Sequence, residues 1–86
     1  MADTSIPRLN GAIAALEAGG PAFVTFCPPD PASALSIAEA PYDAVVFEAE
    51  HNPYDIRVLK ECFFTLLNRR RIAASGSIAP PVAPMV

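Results

Sequence analysis

Apolar residues along this chain fall into helical stripes and short unbroken runs. Ile6, Leu9, Ile13 and Leu16 recur three and four apart, the spacing that lays one stripe along a helix. Ser5 before Ile6-Pro7 offers a start, and Gly19-Gly20 followed by Pro21 a stop. The next segment, Ala22-Phe23-Val24-Thr25-Phe26-Cys27, is short, β-rich and closed by Pro28-Pro29, which predicts a strand and then a loop. Asp30-Pro31 reads as an N-cap with proline in the first helical position, opening a short helix over Ala32 to Ala40 that Pro41-Tyr42 ends.

From Asp43 the chain reads D-A-V-V-F-E-A-E-H, with Ala44 to Phe47 apolar without alternation and charge only at the C-terminal end. Strands apolar on both faces are characteristic of parallel sheets covered by helices on both sides. After Asn52-Pro53, Asp55 can cap a third helix whose Ile56, Leu59, Phe63 and Leu66 keep helical spacing. Arg69, Arg70 and Arg71 are expected at or just past its end, where cations favour the negative end of the dipole; this reading is preferred to phosphate binding. Ala73 to Pro81 has no stripe and reads as a connection, and Val82 to Val86 as the start of a third strand. The order helix, strand, helix, strand, helix, strand predicts right-handed βαβ crossovers and a parallel sheet.

Composition narrows the function classes. Of 86 residues, 52% are hydrophobic and 17% charged, too apolar for a disordered segment. Six Lys and Arg against nine Asp and Glu leave a net charge of -3, which gives no footprint for nucleic acid or an anionic membrane surface. No stretch is apolar enough for a membrane span, and Asp3 and Arg8 interrupt the place where a signal peptide needs its apolar region, so a cytoplasmic location is expected. Cys27 and Cys62 belong to no metal-binding pattern and are expected as small buried hydrophobes rather than a disulfide. Gly19-Gly20 and Ser75-Gly76-Ser77 fit no nucleotide-binding pattern.

One cluster is chemically pointed: Glu48, Glu50 and His51, with Asn52-Pro53 behind, at the C-terminal end of the second strand. Parallel α/β folds bind ligands at that end of their strands. Strand alternation places Glu48 and Glu50 on one face and His51 on the other. Histidine is the residue type whose unperturbed pKa lies near neutral pH, which suits it to a general base. Two readings stand on spacing alone: an acid/base site, or a hydrogen-bonded histidine at a loop start with glutamates solvating the strand's exit. One His and two Glu make no triad and no recognised metal-ligand spacing.

The segment Asp43 to Pro53 resembles the second-strand motif of the HpcH/HpaI aldolase and citrate lyase family: a hydrophobic run, an acidic residue, a spacer, then Glu-His, a small residue and Pro. The similarity extends upstream to the first strand with Asp30-Pro31 and downstream through Asp55-Ile56 to Pro84-Met85-Val86. It implies that residues 1–86 are an N-terminal portion of a (β/α)8 TIM barrel, three strands and the two helices between them with a preceding helix, truncated in or near the third strand. Such barrels take about 250 residues.

The resemblance implies a carbon-carbon lyase acting on the pyruvate-type enolate of a 2-oxo acid, with an aldehyde partner or, in lyase-like members, a CoA thioester. His51 would be its general acid/base and Glu50 a substrate-binding residue. A divalent ion, Mg2+ or Mn2+, would be held by a Glu and an Asp from later strands, so no metal ligand is expected in this chain. An Arg of the third strand, which helps hold the enolate oxygen, would follow Val86, and Glu48 stands where the family more often has Asp. A homo-oligomer is expected of the full-length enzyme, and the 86 residues alone are expected to be inactive. The alternative is a complete, non-catalytic α/β interaction module or remnant.

Overall fold

The computed structural model describes residues 7–86 and shows, among them, four helices around a three-stranded parallel sheet. The order is α1 (Gly11–Glu17), β1 (Val24–Cys27), α2 (Pro31–Ala38), β2 (Ala44–Phe47), α3 (Ile56–Leu66), α4 (Arg69–Ser75) and β3 (Ala83–Met85). The strands lie in the order β1-β2-β3, with Val24 beside Ala44 beside Ala83, and Phe26 beside Val46 beside Met85. The fold is therefore α/β with a parallel sheet, as the alternation of elements predicts.

The local signals act where expected in two helices. Asp30 Oδ2 accepts the Ser33 N–H at 3.1 Å and its hydroxyl at 2.9 Å, with Pro31 in the first turn of α2. Asp55 Oδ1 accepts the Arg57 N–H at 3.0 Å and opens α3. Both caps satisfy donors that the first helical turn leaves unpaired. Helix α2 stops at Ala38, two residues before the expected end.

Three expectations are corrected. Ser5 and Ile6 lie outside the described residues, and the helix opens at Asn10, whose Oδ1 accepts from Ala12 and Ile13. Its apolar stripe does not face the core: Leu9, Ile13 and Leu16 are 45%, 42% and 63% exposed, while Ala12 is buried against Ala44 and Ala83. Small residues win because Gly11 and Ala12 let the helix approach the strands closely. Likewise Ile56 is exposed, and the buried stripe of α3 is Leu59, Cys62 and Leu66.

The arginine run does not trail from α3. Leu67 leaves helical geometry, and Asn68 caps a new helix by accepting the Arg71 N–H, so Arg69 to Arg71 form the first turn of α4 and Ala73 to Ser75 are helical rather than connecting. Arg71 Nη1 donates to the Ala38 carbonyl at 2.6 Å, so a cation does meet a helix C-terminus, but that of α2.

One face of the sheet is covered. Cys27, Val45, Phe47 and Val82 pack against Ala34 and Ala38 of α2 and Leu59, Cys62 and Leu66 of α3. The Phe47 ring stacks on Phe63 with centroids 5.8 Å apart. Both cysteines are free and buried, as expected. The other face carries Val24, Ala44 and Ala83 in one row and Phe26, Val46 and Met85 in the next, by alternation along the strands. Helix α1 packs on the Ala44 and Ala83 row, and Phe26 is left 73% exposed.

The free edge of β3 has a further property. Ala83 N–H donates to the Asp43 carbonyl of the neighbouring strand, so the backbone of Pro84, next along, faces away from β2. Proline has no N–H, and this open edge therefore lacks one donor.

Candidate functional site

The loop joining β2 to α3 leaves the C-terminal end of the sheet. Glu48 N–H donates to the Cys27 carbonyl at 3.0 Å, extending the β1–β2 pairing one residue beyond the strand. There the backbone turns. The Glu48 side chain folds back over its own exit: Oε1 accepts the N–H groups of Glu50 at 2.6 Å and His51 at 2.8 Å. Oε2 accepts the Asn52 side-chain amide at 2.7 Å, and the same Nδ2 donates to the Glu48 carbonyl at 3.2 Å.

This turn overrides strand alternation. Glu48, Glu50 and His51 do not split between two faces; their ligand-type atoms all lie within 4.8 Å of one another. His51 Nδ1 is 3.3 Å from Glu48 Oε1, and its side chain is 79% exposed. Glu50 is exposed beside it, so the residue expected to bind substrate is at the cluster but carries no contact that assigns it that role. Glu48 does more than solvate the strand end: it is the acceptor on which the loop closes.

The electrostatics follow from these donors. Glu48 is held below the ordinary carboxylate range, chiefly by the backbone N–H of His51, with Glu50 and Asn52 adding to it and desolvation opposing. An ionised Glu48 at 3.3 Å from Nδ1 favours a proton on that nitrogen over Nε2. Such a pair, a carboxylate orienting an exposed imidazole, is suited to moving one proton.

Glu48 is already engaged: it has about four lone-pair positions, and its oxygens accept two backbone N–H groups and one amide, with His51 Nδ1 3.3 Å from Oε1, which leaves this carboxylate little capacity for a metal.

Beside the loop lies a cleft of about 300 Å³ lined by Pro28, Pro29, Asp30, Asn52, Pro53, Asp55 and Val58. It brings the caps of α2 and α3 to the same end of the sheet as His51. Arg71 is bound to the far end of α2, away from this loop. Asn52 is the residue that sequence reasoning passed over, treated only as punctuation before Pro53. A side-chain amide four positions after a carboxylate that ends a strand was the available signal.

Compared with protein-family models, curated proteins and solved structures, the chain matches none. No helix among the described residues is long and apolar enough to cross a membrane.

Proposed function

We propose that this chain is the N-terminal βα portion of a divalent-metal-dependent aldolase or lyase of 2-oxo acids, built on a (β/α)8 barrel, with His51 as its general acid/base. The observation that carries the reading is the Glu48–His51 pair on a loop at the carboxyl end of a wholly parallel sheet, where such folds place their chemistry. The motif Glu48-Ala49-Glu50-His51-Asn52-Pro53 gives that pair its chemical class. The apolar row Phe26, Val46 and Met85 supports the barrel, since inward-facing side chains of this size fill a barrel's interior.

In cleavage of a 4-hydroxy-2-oxo acid, His51 Nε2 takes the hydroxyl proton as the C3–C4 bond breaks; the aldehyde leaves and the electron pair passes to the enolate. The protonated imidazole then sits beside ionised Glu48, which stabilises it. In the aldol direction the same proton returns to the new hydroxyl. The metal and the group that holds the enolate oxygen lie outside this chain in this reading, and the 86 residues alone are inactive, because enolate stabilisation is the larger part of the barrier reduction. Assembly with further copies and a location in the cytoplasm belong to the same proposal.

The test is pyruvate release from a 4-hydroxy-2-oxo acid by the protein isolated from its native source, with Mg2+ or Mn2+ supplied. Replacing His51 by Ala is expected to lower turnover about 10²- to 10⁴-fold, the range for a lost general acid/base, with metal affinity unchanged. Equal turnover in H51A removes His51 from the mechanism.

One observation favours a second reading, an α/β interaction module without catalysis. Proline in β3 is placed as on edge strands, where the absent donor costs nothing. A native product that melts cooperatively as a monomer and releases no pyruvate would support it.

A further inference from the structure

We infer that Asn52 is a positioning residue for His51, acting through Glu48. Its effect on turnover rests on the aldolase reading above; its geometry does not. Asn52 uses both protons of one amide, on the Glu48 carbonyl and on Oε2, and so closes a ring across the turn. With Oε2 held, the carboxylate plane is fixed, Oε1 accepts the two backbone N–H groups, and its charge stands 3.3 Å from His51 Nδ1.

The two backbone N–H groups hold only Oε1, and a glutamate has three side-chain torsions, so the Asn52 amide on Oε2 is what stops the carboxylate turning about that point. Asn52 is half-buried, and the proline that follows restricts its backbone to extended conformations, so the amide is delivered with little freedom of its own. The surrounding titratable groups are few: Glu48 and Glu50 are the ones that meet His51 in the cluster. The consequence is a chosen tautomer, with the proton on Nδ1 and Nε2 free to accept.

The chain contains one histidine, so its ring nitrogens give unambiguous signals in ¹⁵N NMR of the 86-residue protein. In the parent, measured where the imidazole is neutral, the Nδ1–H tautomer is expected to predominate. Replacing Asn52 by Asp, which keeps size but turns a donor into a repelling acceptor, should lower the Nδ1–H to Nε2–H ratio about fivefold, the equivalent of one ordinary hydrogen bond. Asn52→Gln, which retains the amide, should restore most of it, and far-UV circular dichroism of both variants should match the parent.

A parent that shows the free-imidazole preference overturns the inference whether or not the chain is compactly folded, and so does an Asn52→Asp variant with an unchanged ratio. If the Asp variant loses its fold, the Gln variant decides: a ratio as low as that of free imidazole in a folded Gln protein also overturns it. Absence of aldolase activity in the native protein would remove the functional reading and leave the tautomer result standing.

Discussion

Replacing Gly11 by Ala sets helix propensity against packing. Alanine is the better helix former by about 1 kcal/mol, a gain that arises largely in the unfolded chain and amounts to about 0.4–1 kcal/mol at a compatible site. In the structure, a Cβ at Gly11 would stand 2.8 Å from the Asp43 carbonyl oxygen, closer than carbon and oxygen approach without displacement. That oxygen is backbone at the head of β2 and accepts the Ala83 N–H at 3.0 Å, so moving it loosens the β2–β3 pairing as well. Overpacking costs about 1–3 kcal/mol, and about 2–3 kcal/mol where the obstacle is backbone rather than a movable side chain, which leaves a net loss of about 1–2 kcal/mol after a gain of about 1 kcal/mol. For a chain of this size the melting temperature should fall by about 5–15 °C. With no tryptophan in the chain, the melt is followed by far-UV circular dichroism. Gly20→Ala is the control, since its nearest neighbour would be the Ala15 carbonyl at 3.8 Å; it should lie within about 0.5 kcal/mol of the parent. A Gly11→Ala protein that melts at or above the parent would refute the packing of α1 on the sheet.

Two more outcomes follow from the titrating groups. Donors hold the folded-state pKa of Glu48 below its unfolded value of about 4.3, so its contribution is fully present above that value and lost as pH falls through the lower folded one. Urea midpoints should stay level above about pH 5 and drop below about pH 4, and Glu48→Gln should weaken that drop; parallel curves for the two proteins would show that the carboxylate is not held. Burial pushes the Cys27 and Cys62 thiols up, so iodoacetamide at mildly alkaline pH should modify them only once the chain is unfolded. Equal rates with and without urea would mean that the core between β1 and α3 does not form.

Much of the fold was legible because its signals are local. Asp30 and Asp55 cap their helices by accepting backbone N–H groups two or three residues on, and the unbroken run Ala44 to Phe47 needs only to be short and apolar to read as a buried strand. The failures have one physical source. Periodicity says that one face of a helix is apolar, not what it meets. Helix α1 shows the best stripe in the first third of the chain and yet turns its small residues inward, because close approach to Ala44 and Ala83 decides its orientation. The start of α4 was hidden for a related reason. Asn68 ends one helix and caps the next, and a run of good helix formers does not show where the break falls.

The site was legible in its residues but not in its geometry. Alternation would have separated Glu48 from His51, and it fails because the strand stops at Phe47, where Glu48 can accept two backbone donors at once. An acceptor that captures the N–H groups two and three residues ahead bends the chain as an N-cap does, without a helix to follow. That choice has a chemical consequence. A strand continuing to His51 would have put the imidazole on the opposite face from Glu48 and Glu50, whereas the turn sets it beside the ionised Glu48 with its ring exposed. The longer side chain at position 48 suits this closure, since it reaches both the backbone ahead of it and the Asn52 amide four residues on. Residue types alone left both an acid/base site and a hydrogen-bonded histidine at a loop start open, and what the turn adds is the placement of an exposed imidazole 3.3 Å from the Glu48 carboxylate.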